Sequence, residues 1–229
     1  MAEEKAGPAP AQPTLARIDT GDGQRDLVIQ PTKQGFVFVL DRDTGKPVWP
    51  VEERAVPQGG AEGEKLSPTQ PFPTHVPPLL PQSFSLDDQV NFPPVIGSPS
   101  CDALLRPLRN EGLYTPPSTQ GTLVFPMTGG GVNWGSAAFD PVHQILYANT
   151  TYAIHVIKLI SRAQANGMKP EPGEDLGPQI GAPFAMAFPE LRCMVRERAF
   201  HAHFTGYQRP RILGPASQGS SRSGRADDR

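Results

Sequence analysis

One lysine is out of character with its surroundings. Lys33 lies in the polar break Gln30-Pro31-Thr32-Lys33-Gln34-Gly35, directly before the apolar run Phe36-Val37-Phe38-Val39-Leu40. A cation at the mouth of a strand has two readings. It is a solvated loop lysine, as befits a residue type seldom fully buried, or it is aimed at an anionic or carbonyl-rich ligand. A second stretch of interest is Gly129-Gly130-Gly131, with Asn133 and Trp134 following at once. Three successive glycines remove every Cβ from a loop and let its backbone approach a planar ligand closely. The remaining candidates are weaker. His75, His143, His155, His201 and His203 share no spacing with a carboxylate that suggests a base or a metal site. His201 and His203, two apart, would share one face of a strand, a two-ligand fragment at most, and their spacing reads as chance. Cys101 and Cys193 lie in no CxxC or Cys/His cluster of the kind that holds zinc, and read as ordinary thiols.

The elements that must position these groups are strands. Leu27-Val28-Ile29, Phe36 to Leu40 and Lys46 to Trp49 are valine- and aromatic-rich runs separated by Asp/Gly clusters. Such runs read as strands joined by tight turns. Gly45 supplies the positive φ that closes the second turn, and Asp41 and Asp43 can bond its backbone. With Thr14 to Ile18 in front, the pattern gives a four-stranded blade with strands near 14–19, 26–31, 35–41 and 46–50, the unit of a β-propeller. VLDRDTGKPVW and AAFDPVHQILY share a layout of apolar strand, Asp, turn and apolar strand, a weak internal repeat. Further strands are expected over Thr122 to Pro126, Ser136 to Asp140, Ile145 to Thr151 and Ala153 to Ile160.

Composition supports this. Gly and Pro make up 51 of 229 residues, nearly double the ordinary share of ~12 %, which argues for short strands and long loops over a helical bundle. The net charge of −2 gives no sign of a nucleic-acid partner. The N-terminus is acidic and lacks the apolar core of a signal peptide, and no run approaches the roughly 20 apolar residues of a membrane span. Three regions follow: a disordered lead-in over 1–13, a β-rich body over 14–192, and a basic tail over 193–229, rich in Arg, Ser and Gly, expected to be disordered. Within the body, 54–121 reads as a long excursion, because ten prolines between Pro57 and Pro99 remove ladder donors. Ser85 to Val90 is expected as one helical turn with Ser85 as N-cap, and Pro107 limits any helix over Ser100 to Asn110.

Four blocks in order carry a family resemblance. TKQGFVFVLDRDTGKPVWPVEERAVPQG, SPTQPFP, LRNEGLYTPPSTQGTLVFP and GGGVNWGSAAFDP together resemble the membrane-bound quinoprotein glucose and quinate dehydrogenases, which use pyrroloquinoline quinone (PQQ). The resemblance runs from about Ala11 to Arg192. It implies an all-β fold, a partial β-propeller made of blades of an eight-bladed quinoprotein propeller, with long Pro-rich loops. It also implies oxidation of a sugar or cyclic alcohol, electron transfer to ubiquinone, and a place on the periplasmic side of the inner membrane. Either the chain is an internal piece of a longer protein or it is a truncated reading frame.

By the same resemblance, Lys33 is the cation near the quinone oxygens, Asn133 is a polar contact to the cofactor, and Trp134 packs on or near its ring. Trp134 reads equally as a blade-core tryptophan. Trp49 reads as blade packing, and Thr128 with Gly129–Gly131 as loop contacts. The family's catalytic base is an aspartate just upstream of a QPTL strand. Here that segment is Gly7-Pro8-Ala9-Pro10-Ala11-Gln12-Pro13-Thr14-Leu15, with Pro8 in the place of the acid, so no catalytic residue is assigned. The family's Ca²⁺ or Mg²⁺ would need about six or more oxygen ligands, and no such set is assigned in this chain. Three readings result: a piece of a PQQ-dependent dehydrogenase, a non-catalytic remnant keeping part of the PQQ site, and an unrelated β-rich binding module.

Overall fold

The computed structural model describes residues 11–86, 89–90, 101–167, 175–177, 183–188, 194–195, 201–203 and 211–213. The first sheet is a meander of β1 (Thr14–Asp19), β2 (Gln24–Pro31) and β3 (Val37–Asp41). Its register sets Ile29 opposite both Thr14 and Val39. Period-two alternation explains the burial: Leu27, Ile29, Val37 and Val39 turn one way and are at most 5 % exposed. β4 (Val51–Ala55) and β5 (Thr69–Pro73) form a separate antiparallel pair. β6 (Gln89–Val90), the short helix α1 (Cys101–Leu105) and β7 (Thr122–Val124) follow. The hairpin of β8 (Ala137–Asp140) and β9 (Ile145–Ala148) comes next. After it run β10 (His155–Ser161), the helix α2 (Arg162–Gly167), β11 (Asp175–Gly177) and β12 (Phe184–Phe188). The last described strands are β13 (Met194–Val195), β14 (His201–His203) and β15 (Arg211–Leu213). The two four-stranded sheets have the orders β11-β12-β10-β7 and β15-β14-β9-β8.

Two apolar clusters hold these sheets together. The first joins Ile18, Leu27, Ile29, Val37 and Val39 of the meander to Val132 and Leu146, with Ala137, Phe139 and Ala148 packed on it. The meander thus lies on the β8–β9 hairpin as one blade lies on its neighbour, and Thr14 Oγ1 donates to the Ala137 carbonyl at 3.0 Å across the seam. The second cluster joins Leu80, Phe84, Leu105, Leu123, Phe125, Tyr152, Ile154 and Val156. The all-β character and the antiparallel sheets are those of a partial propeller.

Several boundaries differ from the sequence reading. The fourth blade strand expected near 46–50 is reduced to an isolated Leu40–Pro47 bridge, with the Val48 N–H bonding the Val39 carbonyl at 2.9 Å and the Asp41 N–H bonding the Lys46 carbonyl at 2.8 Å. Pro47 and Pro50 deny this segment the donors of a full ladder. The lead-in is anchored where it is described: Ala11 is buried at 2 % exposure, and the Gln12 carbonyl accepts from Ser136 Oγ. The proline-rich excursion contains β5, whose pairing with β4 tolerates Pro71 and Pro73 because the sheet has only two strands, both of them edges. Ser85 to Val90 is not a helical turn throughout, since Gln89–Val90 pairs with Met194–Val195. The tail carries β14, which pairs with β9, while the rest of it falls largely outside the described residues. The side chains of Cys101, Cys193, His201 and His203 also lie outside them.

Candidate functional site

Lys33 sits in a tight reversal between β2 and β3. The Thr32 N–H donates to the Phe36 carbonyl at 2.9 Å, and the Gly35 N–H to the Thr32 carbonyl at 2.9 Å. Gly35, at φ 81°, supplies the left-handed residue that the reversal needs. Against it lies the loop from Met127 to Asn133. The Gly131 N–H donates to the Lys33 carbonyl at 2.6 Å, and Lys33 Nζ donates to the Thr128 carbonyl at 3.3 Å. Gly130 lies over the lysine so closely that a Cβ there would come within 2.5 Å of Lys33 Cγ. The glycine run therefore brings its backbone up to Lys33, and Lys33 itself is half-buried at this contact.

The loop is held from its other side as well. The Met127 N–H bonds the Ala153 carbonyl at 3.0 Å, and the Thr151 N–H bonds the Gly131 carbonyl at 2.8 Å. Thr128 Oγ1 lies 2.7 Å from His155 Nδ1 at the start of β10. Burial lowers the His155 pKa from its ordinary value. Asn133 Nδ2 donates to the Gly129 carbonyl at 2.7 Å, while its Oδ1 is buried with no hydrogen-bond partner. Trp134 is 83 % exposed, so it is not a blade-core tryptophan. Trp49 is the packing tryptophan: it lies on the first cluster and stacks on His75 at 4.3 Å between ring centroids.

A cleft of about 210 Å³ opens beside Lys33, lined by Gln34, Tyr114, Thr115, Phe125 and Thr128 among others, with no carboxylate in its lining. Burial pushes the Tyr114 phenol up to about 12, and its backbone is left-handed at φ 65°. The site thus offers one held cation, an unpaired amide oxygen, an exposed indole and an apolar cleft without an acid. Among the described residues no group of three His, Cys, Asp or Glu side chains could hold a metal ion. None of the helices described is long and apolar enough to cross a membrane.

Of the three residues singled out from the sequence, Lys33 bonds the Thr128 carbonyl and Asn133 the Gly129 carbonyl of the same loop; Trp134 adjoins that loop but projects into solvent. The sequence reading gave His155 and Tyr114 no role. His155 is 27 residues from Thr128 in the chain, and nothing in its spacing marks the pair. Tyr114 lay in one of the four resembling blocks, which was its only signal.

Antiparallel sheets packed on one another as successive blades define a protein of the β-propeller class. A family model, PQQ: Glucose/ethanol/alcohol dehydrogenase, beta-propeller domain, matches residues 8–197. The chain belongs to that family. It is 36 % identical over 189 residues to the quinoprotein glucose dehydrogenase of Escherichia coli, covering 77 % of this chain and 23 % of that protein. It is 36 % identical over 183 residues to the quinate/shikimate dehydrogenase (quinone) of Acinetobacter baylyi, covering 76 % and 22 %. It is 37 % identical over 168 residues to the glycerol dehydrogenase large subunit of Gluconobacter thailandicus, covering 72 % and 23 %. The chain spans less than a quarter of the length of these curated relatives. No solved structure matches it significantly.

Proposed function

We propose that this chain is the part of a PQQ-dependent dehydrogenase that presents Lys33 to the quinone of the cofactor. The enzyme would oxidise a sugar or cyclic alcohol on the periplasmic side of the inner membrane and pass electrons to ubiquinone. One observation carries the reading: Lys33 Nζ, from the first sheet, bonds the loop that also bears Asn133 and Trp134.

The residues fit the group in kind. Lys33 has one hydrogen bond among the described residues, to a neutral carbonyl, and an ammonium has three donors. Two donors remain for a carboxylate or a quinone oxygen. Asn133 Oδ1, buried and unpaired, calls for a donor from a ligand or a water. Trp134, the residue after Asn133, adds an exposed indole. PQQ, when bound, would supply the electron-accepting quinone. The protein's own contribution is then a fixed positive charge. A cation held before the reaction begins stabilises negative charge that grows in the transition state, and it spends no reorganisation to do so.

A second reading rests on the acid-free lining of the cleft. With Pro8 in the place of the family's aspartate, this chain would hold cofactor without supplying the base for turnover. Ca²⁺ or Mg²⁺ would then need ligands from outside this chain.

One titration tests both readings. PQQ with Ca²⁺ or Mg²⁺ is added to the chain, Trp134 fluorescence is followed, and dye-linked oxidation of glucose and quinate is measured. Binding with turnover supports the first reading, and binding alone supports the second. Lys33→Ala should weaken binding at least tenfold, and Trp134→Phe should remove most of the quenching. Absence of PQQ binding to the folded wild-type chain rejects both.

A further inference from the structure

His155 has no part in the reading so far, yet it meets the loop that Lys33 touches. Among the described residues the Lys33 ammonium rests on one carbonyl, that of Thr128, so its position depends on where that carbonyl points. Backbone bonds fix the ends of this turn, with the Gly130 N–H donating to the Met127 carbonyl at 2.7 Å, but its central Thr128–Gly129 peptide can face either way because glycine follows Thr128. The Thr128 side chain supplies the missing constraint. Its Oγ1 lies 2.7 Å from Nδ1 of His155. His155 is the first residue of β10 and is paired with Val124 of β7, and β10 is clamped further along, at Lys158 to Ser161, by β12. A strand inside a four-stranded sheet is a stiffer support than a loop.

We propose that His155, acting through the Thr128 hydroxyl, is a positioning residue that fixes the carbonyl on which the Lys33 ammonium rests. The proposal deepens the reading of Lys33 as a cofactor-facing cation and rests on it for its functional consequence. The partial burial of the imidazole suits the role, because it favours the neutral ring and so avoids a second cation beside Lys33.

The test uses the whole, ligand-free chain. Competitive acetylation is read by mass spectrometry at Lys33, with the exposed Lys46 and Lys65 of the same molecule as internal references. Thr128→Val keeps the shape and the carbonyl but removes the hydroxyl; His155→Phe keeps a ring but removes the nitrogen. Each should raise Lys33 acetylation relative to the references by roughly two- to tenfold, the range of one hydrogen bond. Thr128→Ser should retain wild-type reactivity, and His155→Asn should restore part of it. Unchanged Lys33 reactivity in a Thr128→Val chain that melts like wild type overturns the proposal. So does a Thr128→Ser chain that behaves like Thr128→Val. The two readings fail separately. A chain that binds no PQQ yet shows the acetylation pattern rejects the cofactor reading and keeps the Lys33 tether. A chain that binds PQQ without that pattern does the reverse.

Discussion

Asp41 and Asp140 do the same work in two places. Asp41 Oδ1 accepts from the Thr44 N–H at 2.9 Å and the Thr44 hydroxyl at 2.7 Å. Asp140 Oδ1 accepts from the Val142 N–H at 2.8 Å, and its Oδ2 lies 2.7 Å from His143 Nδ1. Four residues after each aspartate the chain turns left-handed, at Gly45 with φ 69° and at Gln144 with φ 54°. The second turn therefore places a Cβ where the first has none. Gln144→Gly should raise stability by up to about 1 kcal/mol, the left-handed strain relieved less the added entropy of glycine, read as a higher melting temperature. Asp43, the other carboxylate expected to bond the turn, instead lies 3.9 Å from Arg42. The charges also set an acid limit. Hydrogen bonds from Arg17 hold Asp26 below the usual carboxylate range, with the charges of Arg17 and Arg42 adding to the effect. Asp41 is lowered chiefly by Thr44, and Asp140 by His143. A lowered folded-state pKa contributes stability that is present above the ordinary carboxylate value and is lost as pH falls through the lowered one. Melting temperature should therefore fall below about pH 4. Asp26→Asn should melt lower at neutral pH and show a shallower acid decline. An acid decline as steep as wild type would reject the Arg17–Asp26–Arg42 assignment.

At the scale of elements, the site is a contact between a hairpin reversal and a glycine loop. Gly130 has φ 90°, and its missing Cβ leaves room for the Lys33 side-chain stem and Cα. Gly130→Ala should push the loop off Lys33, lower stability by about 1–3 kcal/mol, and weaken PQQ binding along with it. Retained binding in a destabilised Gly130→Ala chain would separate Lys33 from the loop. Much of this was legible in the sequence. The runs at Leu27 and Phe36 gave β2 and β3 because alternation and Asp/Gly turns are local signals. The Gly129–Gly131 run announced a close approach, although not to what. Two things could not be read. The Lys33–Thr128 contact spans 95 residues, and no spacing rule reports a contact between separate sheets. Trp134 gave no sign of its exposure, since a tryptophan beside a strand is apolar in either setting.

At the scale of the molecule, the first cluster makes the site a property of two sheets rather than of either one. Val132, fully buried, ties the glycine loop into the core that Leu27, Ile29 and Val39 supply from the meander. Among the described residues the meander ends in β1, whose Leu15 is 64 % exposed. An edge strand with free backbone groups and an outward leucine is a template for pairing with another copy. In closed propellers the blades neighbour one another around a ring and leave only short, protected edges. Expressed as these 229 residues, the chain should self-associate as its concentration rises, seen as a growing mass in light scattering. Leu15→Lys places a charge on that edge without touching the buried face of β1, where Ile18 packs at 2 % exposure. It should raise the monomer fraction and leave the melting temperature nearly unchanged. A wild-type chain that stays monomeric at high concentration would show that this edge is already protected, and with it that the meander needs no further strand beside β1.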